Sequence, residues 1–128
     1  MNKLDKESVI GITALLVHAA NIDEIYSGHE KDLIKDFIKS YSNDDSDKIL
    51  KKAEEIENNS NQLLNFTNII KQKSMELKKD IIEHLWKVII SDKTVDQYES
   101  NLMRRICGLI YLPDKECAEI KLKLMSNK

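Results

Sequence analysis

The sequence predicts an all-α protein, a single compact bundle of about seven helices spanning residues 1–128. Three observations carry this. Apolar residues recur at i, i+3 and i+4 rather than at every second position, which is the helical period. Only three Gly and one Pro occur in the chain, too few for the many turns of an all-β sandwich. Finally, 41% hydrophobic against 33% charged residues supplies a core for one domain rather than the low-hydropathy composition of a disordered segment.

The elements follow in order. The first helix runs from about Glu7 to Ile22 and is apolar nearly all round, through Val9, Ile10, Ile12, Ala14, Leu15, Leu16, Val17 and Ala19; such a helix belongs at the centre of a core. A second runs from about Gly28 to Ser40 with Leu33, Ile34, Phe37 and Ile38 inward. Ser42–Ser46 is a loop and helix start. A charged third helix follows to about Glu57, showing Ile49, Leu50, Ala53 and Ile56 on one side. Asn58-Asn59-Ser60-Asn61 breaks it, and a short fourth helix carries Leu63, Leu64, Phe66, Ile69 and Ile70. Ser74 reads as the N-cap of a fifth, reaching about Ser91 and burying Leu77, Ile81, Leu85, Trp86, Val88 and Ile89. A sixth spans about Gln97 to Ile110, and Pro113-Asp114 opens a seventh, proline suiting a first turn.

Composition excludes several classes. The apolar run Val9–Ala20 is shorter than the ~20 residues a membrane-spanning helix needs, and it lacks the basic start and cleavage site of a signal peptide. Net charge is −2, so a general nucleic-acid surface is not expected, and the seven aromatic residues are too scattered to form a base-stacking groove. Cys107 and Cys117 make no CxxC pair and no zinc-finger spacing; they read as buried thiols in a reducing cytoplasm. His18, His29 and His84 lie in different segments without HxxxH spacing. No GxSxG elbow or phosphate loop is present. Glu54, Glu55 and Glu57 read as a solvated helix face, as do Lys78-Lys79 and Arg104-Arg105, with Lys35 and Arg104 pairing to acids one helical turn away.

The chain also repeats itself. A shift of 69 residues lays Leu16 on Leu85, Asp23 on Asp92, Glu30 on Glu99 and Leu33 on Leu102. Each copy, about 8–40 and 75–110, reads as an apolar helix, a short loop holding an Asp, and an amphipathic helix with a Glu in its first turn. The copies differ in charge: residues 1–64 hold 13 acids and 8 bases, residues 65–128 hold 9 and 12. Ser27…Glu30 and Asp96…Glu99 are capping boxes, which accounts locally for both Glu residues. Asp23 and Asp92 follow a helix C-terminus, where the field is already negative. Either an Asx turn or a hard cation held by carboxylates and loop carbonyls compensates them. The loops are too short and too poor in acids for an EF-hand.

Leu85-Trp86-Lys87-Val88-Ile89-Ile90-Ser91-Asp92, Val95-Asp96-Gln97-Tyr98-Glu99 and Leu102-Met103-Arg104-Arg105-Ile106 resemble the C-terminal half of TerB-like domains, the family of tellurite resistance protein TerB and the DjlA N-terminal domain. Leu15–Asp23 with Glu30 resembles the N-terminal half, so the resemblance covers about residues 5–124. It implies an all-helical, non-enzymatic domain of bacterial stress-response systems, with acidic loops that take a divalent cation. Matched residue by residue, the implied metal positions are Asp23, Glu30, Asp92, Asp96 and Glu99, for Ca²⁺, Mg²⁺ or Mn²⁺. The chain departs from the family pattern at Glu24 and Lys93, which replace the loop Gly, at Ile25 and Thr94, which replace the loop acid, and at Ser27.

The expectation is therefore a cytoplasmic, non-catalytic interaction module with a protein partner, a weak cation site, no nucleic acid, and membrane contact only through a partner. Two alternatives stand beside it. One is a metal-dependent, hydrolase-like enzyme built on Asp92, Asp96 and Glu99; the other is a purely structural helical partner near a membrane.

Overall fold

A computed structural model describes residues 4–21, 28–59, 63–90 and 97–126. The described residues form α1 (Lys6–Ala20), α2 (Gly28–Tyr41), α3 (Ser46–Asn59), α4 (Leu63–Lys71), α5 (Met75–Ile90), α6 (Gln97–Leu109) and α7 (Asp114–Ser126), with no strand among them. Each helix expected from periodicity is present, with ends shifted by one or two residues.

α1 begins where its sequence supplies a cap. The Asp5 carboxylate accepts the Ser8 hydroxyl at 2.7 Å and the Ser8 N–H at 3.2 Å. Those two bonds hold its carboxyl below the usual aspartate value. From Val9 to Ala20 nearly every side chain is buried, because α1 packs against α2, α3, α4 and α5 at once. At Gly11 α1 and α4 approach closely: a Cβ there would make the tip of the Ile69 side chain on α4 turn aside. Ser74 caps α5 as expected, its hydroxyl accepting the Leu77 N–H at 3.2 Å.

The duplication is larger than the two helices visible in the sequence match. α1 and α5 start 69 residues apart, at Lys6 and Met75, and α2 and α6 likewise, at Gly28 and Gln97. α3 and α7 start 68 apart, at Ser46 and Asp114. Packing repeats too: α3 lies along α1 as α7 lies along α5, and α2 touches α3 as α6 touches α7. The repeating unit is thus three helices, with α1 against α5 joining the copies and α4 bridging to α1 and α6.

Four surface assignments change. Glu57 is buried, 8% exposed, rather than part of a solvated face. Lys78 is also 8% exposed, its long aliphatic stem being able to line a core while the charge reaches out. Lys35 pairs across to Asp47 at the start of α3, at 2.7 Å, rather than with an acid on its own helix. Lys79 pairs with Glu116 of α7 at 3.1 Å. In each case a neighbouring helix, invisible in local spacing, supplies the partner or the cover.

Among the described residues, the turn between α6 and α7 is the one place where a non-glycine residue takes a positive φ. Tyr111 has φ 63°, a left-handed conformation usually left to Gly. It allows Leu112 N–H to reach the Cys107 carbonyl at 2.9 Å and Tyr111 N–H the Gly108 carbonyl at 3.3 Å, closing α6 and folding α7 back. The exposed Tyr111 ring lies 4.9 Å beneath Lys71 Nζ.

Candidate functional site

The first repeat gathers polar groups where α1 ends. Asn21 is the C-cap of α1, and its Nδ2 donates to Glu57 Oε2 at 3.2 Å. His18 Nδ1 lies 3.4 Å from Glu57 Oε1. The carboxylate thus comes from the last turns of α3, and both its oxygens are occupied by side chains from the last turn of α1. His18 has the partner that a histidine on an apolar helix requires.

Glu30 stands in the first turn of α2, as its capping box predicts, and is only 6% exposed. The α2 N-terminus favours negative charge there. Lys31 beside it reaches Glu54 of α3 at 3.8 Å, tying the head of α2 to the same end of α3 that presents Glu57. The first copy therefore carries two buried carboxylates, Glu30 and Glu57, on the two helices that flank the end of α1. Sequence reading singled out the first and missed the second.

Of the other candidate ligands, Asp23, Asp92 and Asp96 lie outside the described residues. Glu99 falls in the first turn of α6, as expected, with its side chain outside the described set. Among the described residues, no three His, Cys, Asp or Glu side chains are grouped to hold a metal ion. Of the candidate ligands only Glu30 has a described side chain, a carboxylate of the type that suits a hard oxygen-seeking cation rather than a zinc-like one.

A second polar cluster lies on the α2–α5 seam, around a cavity of about 590 Å³. The Tyr41 hydroxyl donates to Asp80 Oδ2, and His84 Nε2 approaches the same oxygen at 3.6 Å. Phe37, fully buried, lies beneath both rings, 5.1 Å from Tyr41 and 5.2 Å from His84 between centroids. Asp80 and His84 stand at i and i+4, a pair that spacing alone could have found. Tyr41 lies 39 residues earlier in the chain and gives no such signal.

The cluster has an electrostatic signature. His84 first, then Tyr41, holds the Asp80 carboxyl below its ordinary 3.8, against the opposing effect of burial. Burial, with Asp80 second, pushes the Tyr41 phenol up. A depressed carboxyl pKa adds stability that is complete above the unfolded value and lost as pH falls through the folded one. Acid unfolding of the wild type should therefore steepen below about pH 4, and Asp80→Asn should flatten that limb. Superimposable acid limbs in circular-dichroism titrations would remove Asp80 from it.

Among the described residues no helix is long and apolar enough to cross a membrane. Compared with known proteins, the chain matches a family model described as tellurite resistance protein TerB over residues 9–122, nearly its whole length. No curated protein and no solved structure matches.

Proposed function

Because the chain belongs to the TerB family, we propose that it is a non-catalytic interaction domain of a bacterial tellurite-resistance or stress-response system, which binds a divalent cation weakly at its acidic loops and a protein partner on its surface. The observation that carries this reading is the burial of Glu30. Glu30 is enclosed at the head of α2, where the helix N-terminus favours a negative charge. Asp23 and Glu30 in the first copy, and Asp92, Asp96 and Glu99 in the second, are the proposed ligands, with loop carbonyls completing an oxygen shell. The interaction role rests on family membership and on the absence of any recognised catalytic motif in the sequence.

Titrating Ca²⁺, Mg²⁺ and Mn²⁺ into the protein while recording amide NMR shifts tests the cation reading. Saturable shifts at Asp23 and Glu30, with a dissociation constant of about 0.1–1 mM, are expected for so small a ligand set. Glu30→Gln should weaken binding about tenfold. Shifts that rise linearly with salt, or that are unaltered by Glu30→Gln, would leave the domain without a cation site. The partner is to be identified by what co-purifies from the native cell, compared between wild-type and Glu30→Gln protein.

A further inference from the structure

The hairpin of α6 and α7 joins two thiols. Cys107 on α6 is 0% exposed and Cys117, in the first turn of α7, is 6% exposed. Both are free, and each thiol is the foremost electrostatic neighbour of the other. The turn at Tyr111 sets this up: the bond from Leu112 N–H to the Cys107 carbonyl closes α6, and α7, which begins at Asp114, packs against it. In the first repeat the same helix positions hold Ile38 and Ile49, both buried. The core at this point accommodates an apolar pair, so packing alone does not call for two sulfurs.

The thiols also stand in unequal surroundings. Cys117 lines a cavity of about 400 Å³ together with Trp86, Arg104, Asp114 and Lys121, whereas Cys107 does not. Lys121 Nζ lies 5.1 Å over the Trp86 ring. The Trp86 indole N–H is buried without a hydrogen-bond partner of normal geometry, and the polar atom it faces is the Cys117 sulfur. A thiolate at Cys117 would thus be met by the Cys107 S–H, the indole N–H and Lys121, against the opposing effects of burial and the Asp114 carboxylate. Cys107, foremost, lowers the Cys117 thiol, while Cys117 in turn, together with burial, pushes Cys107 up. One sulfur on the wall of a cavity, backed by one fully enclosed sulfur, is the division of labour that thiol–disulfide exchange uses.

We propose that Cys117 and Cys107 form a reversible dithiol–disulfide couple, with Cys117 the attacking sulfur, Cys107 the resolving one, and a small anionic disulfide of the glutathione type as oxidant, drawn to the cavity by Arg104 and Lys121. The Cys117 thiolate attacks one sulfur of R–S–S–R, forming a mixed disulfide and expelling RS⁻, which takes up the proton lost from Cys117. Cys107 then gives up its proton and attacks the Cys117 sulfur, and the second RS⁻ leaves with that proton. Two protein thiols are oxidised by two electrons, and the oxidant is reduced to two R–SH.

The test uses the full folded chain with oxidised glutathione as probe, followed by intact-mass and peptide mapping. The wild type should become lighter by two hydrogens through a Cys107–Cys117 bond, and an adduct trapped early by acid should sit on Cys117. Fluorescence of Trp86, the sole tryptophan, should change with the same time course and return on adding a reducing dithiol. Cys107→Ser should accumulate a stable adduct on Cys117, and Cys117→Ser should slow modification of Cys107 by about tenfold or more. Where a serine variant loses helical signal, alanine at that position replaces it; the trapped wild-type adduct reports independently of either. An early adduct on Cys107, or both thiols surviving in the folded wild type under conditions that oxidise the urea-unfolded chain, would overturn the proposal.

Discussion

Phe37→Ala should destabilise the fold by about 3–5 kcal/mol, the range for truncating a fully buried aromatic ring. Phe37 is among the largest side chains with no exposure, and it sits between α2 and α5 under the Tyr41 and His84 rings. The cost has two sources: lost transfer of the ring from water, and a cavity that two helices pinned by other contacts can close only in part. Since a domain of this size has about 5–15 kcal/mol in total, the urea midpoint should fall steeply. Tyr41 and His84 should also lose their fixed orientation about Asp80. A midpoint within about 1 kcal/mol of wild type would mean that the α2–α5 seam collapses freely, and that the ring does not set its geometry.

Glu57→Ala should cost about 1–3 kcal/mol, because it leaves polar groups of His18 and Asn21 without the acceptor they now share. Glu57→Gln, which keeps one oxygen acceptor and the side-chain length, should cost less. The contrast separates loss of the charge from loss of the acceptor and its packing: equal effects from the two variants in urea unfolding would assign the cost to charge. The repeat sharpens the point. At the same register of α7 the second copy has Met125, 48% exposed, so the polar lock on the end of α1 belongs to the first copy and is not a requirement of the fold.

What could be read from the sequence, and what could not, divides by distance along the chain. Helices were legible because a period of three to four residues is local. α1 was legible as the central helix because Val9 to Ala19 leaves no polar stripe to face water. The capping box placed Glu30 in the first turn of α2, and Ser74 announced the start of α5. Glu57 was misread because its burial depends on α1, whose His18 and Asn21 lie 39 and 36 residues away. Tyr41 and Asp80 escaped for the same reason, as did the pairing of Lys35 with Asp47. The two cysteines were correctly expected to be buried thiols; their contact needed the α6–α7 turn, which a tyrosine rather than a glycine forms. Of the candidate cation ligands, local spacing placed Glu30 and Glu99 on their helices, and it gave no indication that Glu30 is enclosed.

The central place of α1 has a consequence for how the protein is made. On the ribosome α1 emerges before the helices that cover it, and two of these, α4 and α5, are encoded some fifty to seventy residues later. At about 5–20 residues per second, the most apolar segment of the chain waits several seconds before its last cover arrives. During that interval the nascent first repeat offers an uncovered greasy face to chaperones or to other nascent chains. Slowing translation beyond α3 should therefore lower the soluble yield more than slowing it within α7.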